Sequence, residues 1–315
     1  MSVSRMVLRR LLSSVPLLFA VSALTFVLVS LVPGDPARTI AGEHATVAQY
    51  AVVRGQLGLN RPLPLQYWHW LVRALHGDLG SSLFSGEQVT ALLGDRLPVS
   101  LSLILSGIVV SGVLGVALGL YSARRGGVMV KLVDGLSLVG LGVPPFWLAL
   151  VLVEVFAVRL GWLPAIGYVP LATDPSQWAR SLALPVVSLS VGTIAIIAKQ
   201  TRDSVLDTFN KDFIRVMQAN GFSERSILYR HVLKNAAIPV VTVLGVVFVS
   251  LLAATVFVEA VFAMPGLGLL IQQATLQHDI PVIQGAVLYI TLLVVLANLL
   301  VDLAYGLLDP RVRAA

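Results

Sequence analysis

Apolar and polar positions along this chain fall into long blocks rather than a fine alternation. Apolar runs of about 20 residues or more, enough to cross a bilayer as a helix, recur at 7–32, 98–123, 128–160, 182–205, 236–263 and 281–308. A long polar region, 33–97, separates the first two, and a charged one, 206–235, separates the fourth from the fifth. The pattern predicts an all-α, polytopic membrane protein with six transmembrane helices in one membrane domain, 1–315. The first run follows Arg5, Arg9 and Arg10, as a secretory leader would. Its 22 residues from Leu11 to Val32 exceed the roughly 7–15 of a leader core, and no small-x-small cleavage site follows, so it reads as a retained span.

Breakers and caps refine the picture. Pro33-Gly34-Asp35-Pro36 stops the first span. Thr46 is placed to cap a short helix ending near Gly58, and Pro64 suits the first turn of a helix over 65–76 that carries Tyr67, Trp68 and Trp70. Trp and Tyr favour the headgroup level, so this helix is expected in the outer interface. His69 and His76 lie on it without acidic or cysteine partners at ligand spacing, which disfavours a metal site. In the second span Ser111, Gly115 and Gly119 recur at every fourth position, a spacing that lets helix backbones approach closely. Pro144-Pro145 interrupts the third span and predicts a kink; broken helices are tolerated in a membrane where they line a cavity. Pro265-Gly266-Leu267-Gly268 breaks the chain after span five, before a short amphipathic piece to His278.

The charged stretch between Asn210 and Pro239 has its own pattern. Phe213, Ile214 and Met217 share one face of a short helix, and Gly221 suits the left-handed residue that ends it. Ser223 is placed to cap a second helix, on which Ile227, Leu228, His231, Val232 and Asn235 follow helical spacing. Two readings stay open on periodicity alone: a bracket on which a soluble partner docks, or a solvated interhelical loop that happens to be helical.

Composition supports the membrane reading: 57% of residues are hydrophobic and 12% charged, against roughly 25% charged in soluble domains. The net charge of +6 is not gathered with aromatics on a soluble module, as nucleic-acid binding requires. Six spans place both termini on one side, and 15 of the 22 Lys and Arg fall on that side, in the termini, around 124–131 and across 199–234. Of the other seven, five lie in the 33–97 loop. The positive-inside bias therefore puts both termini and the 206–235 segment in the cytoplasm.

Several chemistries are excluded. The chain has no cysteine, no Gly-Lys pair for a phosphate loop, no His-Glu-x-x-His and no Gly-x-Ser-x-Gly. The carboxylate candidates for chemistry within the spans are few: Asp134, Glu154, Glu259 and Asp302. Asp134 and Asp302 fall near cytoplasmic ends and Glu259 near an outer end, while Glu154 is deeper and carries the largest desolvation cost. It either faces a pore or a substrate amine, or it is a protonated or hydrogen-bonded packing residue, the commoner case. The four form no proton relay, and no inverted repeat of broken helices is visible, which weighs against a self-powered carrier.

A series of motifs in order along the chain resembles the membrane subunits of ABC importers for dipeptides, oligopeptides and nickel. The series comprises Leu31-Val32-Pro33-Gly34-Asp35-Pro36, Leu57-Gly58-Leu59-Asn60-Arg61-Pro62 through Gln66-Tyr67, and Gly77-Asp78-Leu79-Gly80-Ser81-Ser82. It continues with Pro144-Pro145-Phe146-Trp147-Leu148-Ala149 and Leu160-Gly161-Trp162-Leu163-Pro164. Then follow Asp212-Phe213-Ile214-Arg215 to Gly221, and His231-Val232-Leu233-Lys234-Asn235-Ala236 with Pro239. Pro265-Gly266-Leu267-Gly268 and Tyr305-Gly306-Leu307-Leu308-Asp309-Pro310-Arg311 close it.

The resemblance implies a type I ABC importer permease fold and a non-enzymatic subunit forming half of a translocation pathway for di- or oligopeptides, with nickel or another small solute as the alternative cargo. It implies no cofactor in this chain, ATP and Mg being used by two partner ATP-binding subunits. It also implies a homologous second permease, an extracytoplasmic peptide-binding protein, and a multi-pass location in a bacterial plasma membrane. The charged stretch is similar to the importer coupling loop, general pattern Glu-Ala-Ala-x-x-x-Gly, where this chain has Arg215, Val216, Met217 and a matching Gly221. The coupling candidates so implied are Asp212, Phe213, Ile214, Arg215, Met217, Ala219, Gly221, His231, Leu233 and Asn235. Phe213, Ile214 and Met217 are expected to form the apolar contact, with Asp212 and Arg215 at its rim. Pro144, Pro145 and Glu154 are pathway candidates. A stand-alone secondary carrier or an intramembrane enzyme is the reading from a different class.

Overall fold

The sequence builds helices almost throughout. The structure, a computed structural model, describes residues 3–31, 34–42, 44–125 and 127–308. In chain order the helices are α1 (Val3–Leu31), α2 (Pro36–Ala41), α3 (Val47–Gln56), α4 (Leu63–Leu75), α5 (Val89–Arg125), α6 (Val128–Gly142) and α7 (Pro145–Leu152). A π-helical turn, Val153–Arg159, follows α7. Then come α8 (Pro175–Phe209), α9 (Asp212–Ala219), α10 (Glu224–Ile227), a second π-helical turn Leu228–Val232, α11 (Leu233–Val261), α12 (Leu267–Gln277) and α13 (Ile280–Leu308). Among the described residues the only β pairing is an isolated bridge between Ser81 and Gln88.

Local chemistry sets many of the boundaries. Asp35 caps α2 by accepting from Ala37 N at 2.9 Å, with Pro36 as the first helical residue. Thr46 and Gln49 form a reciprocal capping box at α3. Asp174 accepts from the amides of Ser176 and Gln177 to open α8 at Pro175, seven residues before the apolar run at 182. The α5 helix likewise begins before Pro98, at Val89, because Val89 and Leu93 are fully buried and fold the preceding turns onto a core.

Among the described residues five helical stretches are long and apolar enough to cross a membrane: Val7–Leu31, Val89–Arg125, Pro175–Phe209, Glu224–Val261 and Ile280–Gly306. The run at 128–160 is not one kinked helix but separate pieces. Pro144 is extended, with φ −62° and ψ 137°, and starts α7 at Pro145. Tandem prolines withhold two consecutive backbone donors, so the ladder stops rather than bends.

The chain divides into two compact units. The first comprises Met1–Arg10, Leu101–Met264 and Leu296–Ala315. Helix α8 is its packed centre, flanked by α6, α7 and α11. Small residues set the approach there: a Cβ added to Gly119 would lie 2.5 Å from the Ala198 carbonyl oxygen, and one added to Gly192 2.7 Å from that of Gly140. The expectation of close packing along Ser111, Gly115 and Gly119 is met at the two glycines, Gly115 against Ile197 and Gly119 against Ala198 and Thr201 on α8.

The second unit comprises Leu11–Ser100 and Pro265–Val295. Its core gathers Trp70, Leu79, Val89, Leu93, Leu267 and Val282. Tyr67 packs edge-on against Phe19 and Phe26, and its hydroxyl lies 2.8 Å from Ser22 Oγ. Asp279, nearly fully buried, accepts from Ser82 Oγ at 2.6 Å and from Leu83 N at 3.2 Å, tying the loop before α5 to the loop before α13.

Candidate functional site

The bracket at 206–235 forms as the turn chemistry predicts. Helix α8 ends at Asn210, and Lys211 is extended, which lets α9 start in a new direction. Gly221 has φ +78°. Phe222 N donates to the Met217 carbonyl at 3.2 Å and Gly221 N to that of Gln218 at 3.0 Å, the paired bonds of a Schellman ending. Ser223 then caps α10, accepting from Ser226 N. The helix runs on through the π-helical turn into α11 without a break, from Glu224 to Val261. The bracket is therefore continuous with the ends of two long apolar helices.

Burial sorts its side chains. Ile214 is fully buried among Val205, Ile227, Leu228, Val232 and Ala236, with Met217 and Leu233 packed alongside. The expectation that Ile214 belongs to an outward apolar face is corrected: it is the internal anchor that fastens α9 to α8 and α11. The outward apolar surface consists of Phe213, Val216, Phe222 and Tyr229, each 39–59% exposed. Val216, Phe222 and Tyr229 were not among the sequence candidates. The signal available for them was their alternation with the buried set at 214, 217, 227 and 228.

The polar members are simply disposed. Asp212 and Arg215 form an exposed pair at 3.5 Å, a geometry worth little in stability. Ala219 and Gly221 are exposed, His231 is half-buried, and exposed Asn235 donates from Nδ2 to the His231 carbonyl at 2.8 Å. Arg124, at the end of α5, stacks over the Tyr229 ring at 5.5 Å.

The pathway candidates do not join this cluster. Pro144 is exposed and Pro145 half-buried at the α6–α7 break. Glu154, expected to be the most heavily desolvated carboxylate, is 53% exposed within the protein and pairs with Arg159 at 2.9 Å. Its charge is already matched by a neighbour on the same π-helical turn. The fully buried carboxylate is instead Glu259 on α11. Asp134 pairs with Arg202, and Asp302 with Arg10. Among the described residues no group of His, Asp and Glu gathers in a way that could hold a metal ion.

Comparison with known proteins places this architecture. The model of the family "Binding-prot-dependent transport system membrane comp, N-term" matches residues 3–104, and that of "Binding-protein-dependent transport system inner membrane component" matches residues 115–314. A Sinorhizobium fredii protein named "Probable peptide ABC transporter permease protein" is 41% identical over 308 residues, covering 98% of each chain. The glutathione transport system permease protein GsiC of Salmonella typhimurium is 38% identical over 308 residues, again covering 98% of each. Among solved structures, a chain of the MetNI methionine ABC transporter in inward-facing conformations superposes with a TM-score of 0.56 at 19% identity, over 69% of this chain and 96% of that one. That likeness, over the part of the chain that it covers, is to an ABC importer permease fold. Caps, glycine crossings and bracket thus sit in a chain that belongs to the inner membrane component family of binding-protein-dependent transport systems.

Proposed function

We propose that this chain forms half of the translocation pathway of an ATP-driven importer of di- and oligopeptides, and that the 206–235 bracket receives the force of nucleotide hydrolysis. The chain has no phosphate-binding Gly-Lys pair of its own, so ATP and Mg are used by two ATP-binding subunits beneath it. A homologous second permease completes the pathway, and an extracytoplasmic binding protein delivers the cargo. Both termini and the bracket face the cytoplasm of a bacterial cell. The peptide class rests on the relatives, whose names specify peptide and glutathione, itself a tripeptide.

One observation carries the coupling role. Ile214 locks α9 into a core shared by α8 and α11, while Phe213, Val216 and Phe222 remain outward. Burying such a side chain is worth roughly 1.5–3 kcal/mol, enough for α9 to move with the two long helices as one piece. A partner gripping the outward side chains then displaces both helices together, the shear that alternating access requires.

The experiment is uptake of a labelled dipeptide into vesicles holding the reconstituted assembly, with ATP hydrolysis measured in parallel. A Cβ at Gly221 meets nothing within 4 Å, so Gly221→Val disturbs the backbone ending of α9 rather than its packing. It is expected to leave the helices folded and ATP hydrolysis running while uptake falls. Full uptake by that variant rejects the coupling role, and uphill transport by the chain without ATP-binding subunits rejects the importer reading.

A further inference from the structure

A cavity of about 910 Å³ lies wholly within the second unit. Its walls differ in chemistry. One is apolar and comes from the ends of two helices long enough to span a membrane: Phe26 and Val29 from the last turns of α1, Ile280 and Ile283 from the first turns of α13. The other is α4, which places Gln66, His69 and Arg73 along the cavity at positions i, i+3 and i+7, with Trp68 exposed beside them. Tyr67, Trp68 and Trp70 make α4 the aromatic, interfacial helix of this unit.

The lining is electrostatically one-sided. It contains the guanidinium groups of Arg54, Arg61 and Arg73 against a single carboxylate, Asp35. Asp35 is already held by Arg54 at 3.0 Å. Among the described residues neither Arg61 nor Arg73 has an acidic partner. Two unmatched cations therefore border a cavity whose far wall is the apolar end of two membrane helices. A small anion would satisfy the arginines and leave that wall wet, whereas an amphiphile satisfies both.

We propose that this cavity holds an anionic phospholipid, its phosphate between Arg61 and Arg73 and the upper part of an acyl chain against Phe26, Val29 and Ile283. Headgroup sites of this kind pair basic side chains at the interface with an apolar floor. Occupation would fix α4 against the ends of α1 and α13, and would make the lipid composition of that leaflet a determinant of how this unit is held.

The test is native mass spectrometry of the intact assembly in detergent, loaded with equal amounts of phosphatidylglycerol and phosphatidylcholine. Phosphatidylglycerol is expected to be retained preferentially. Arg61→Gln with Arg73→Gln should cut that preference about thirtyfold, the combined effect of two basic side chains near a charged headgroup, and Arg61→Lys with Arg73→Lys should keep most of it. Thermal unfolding of each variant establishes that it is folded. Equal retention of the two lipids, or an unchanged preference in the folded Gln double variant, overturns the proposal. So does displacement of the bound lipid by sn-glycerol 3-phosphate, which would assign the site to a free phosphate. Finally, salt-sensitive binding of an acidic protein segment that is lost in the Gln double variant, with lipid preference unchanged, would assign the cavity to a protein partner and overturn it too.

Discussion

Arg202, only 7% exposed on α8, reaches the Asp134 carboxylate of α6 at 2.8 Å. The same guanidinium holds Asp203 at 2.9 Å. This one side chain ties the first piece of the broken third run to the helix that leads into the bracket. Both carboxylates are 43–45% exposed, so the loss on breaking the tie falls below that of a fully buried pair. Arg202→Gln is expected to lower the stability of the folded chain by about 1–2 kcal/mol, read by thermal unfolding in detergent. Asp134→Asn added to that variant should cost little more, because the pair is already broken. Additive losses would mean that the two side chains act independently.

The inward and outward sides of α9 make opposite predictions. Ile214→Ala opens a hole in the core with Val205, Ile227 and Val232, and should destabilise by about 2–5 kcal/mol. Phe213→Ala and Val216→Asp change exposed positions, where substitutions usually stay within about 0.5 kcal/mol. They should leave unfolding unchanged and reduce substrate-stimulated ATP hydrolysis by the assembly several-fold. The reverse pattern, with Ile214→Ala silent in stability and Phe213→Ala unfolding, would invert the assignment of faces.

How much of this was legible depends on whether a residue acts alone or through distant neighbours. The Gly221 ending and the Ser223 cap were readable because each is a backbone requirement met by one residue type at one position. The inward face of α9 was not. Residues 213, 214, 216 and 217 are all apolar, so an eight-residue helix offers two overlapping faces, and only Val205 and Val232, distant in sequence, decide between them. Glu154 was misplaced for a related reason. Position within an apolar run says nothing of local winding, and a π-helical turn brings the residue five places on to the same side. That puts Arg159 beside Glu154, a pairing that α-helical spacing disfavours. The early start of α5 was missed because Pro98 reads as a helix opening, whereas burial of Val89 and Leu93 carries the helix through it.

The crossing of α5 and α8 gives a steric prediction with an internal control. A Cβ on Gly119 would lie 2.5 Å from the Ala198 carbonyl oxygen and 2.6 Å from Thr201 Cβ. Both are fixed atoms, so Gly119→Ala must push the helices apart, at about 1–3 kcal/mol. On the same helix a Cβ on Gly112 would meet only Leu244 Cδ2 at 3.7 Å, ordinary contact, and Gly112→Ala should be neutral or slightly stabilising. Thermal unfolding of the two variants side by side checks this. Equal tolerance at both positions would show that the close approach at Gly119 is not a constraint.

Asp35 gives the pH prediction, outside the membrane spans. Partial burial pushes its carboxyl up, but the Tyr50 hydroxyl, the Ala37 amide and the Arg54 charge together outweigh that and hold it below the ordinary carboxylate value. Tyr50 in turn sits under the Arg38 and Arg54 guanidinium groups at 5.7 and 5.9 Å, so one carboxylate organises the start of α2 and the side of α3. A group whose folded pKa is depressed contributes its stabilisation above the unfolded value, about 3.9 for Asp, and loses it as pH falls through the folded value. Hydrogen exchange across 35–56, corrected for its intrinsic pH dependence, should therefore be slow at neutral pH and accelerate only below about pH 4. Asp35→Asn should show faster exchange at neutral pH with no acid step. Tyr50→Phe removes a donor that favours the ionised form, so its step should move up toward the ordinary carboxylate value. An acid step that survives in Asp35→Asn would show that another carboxylate holds this segment.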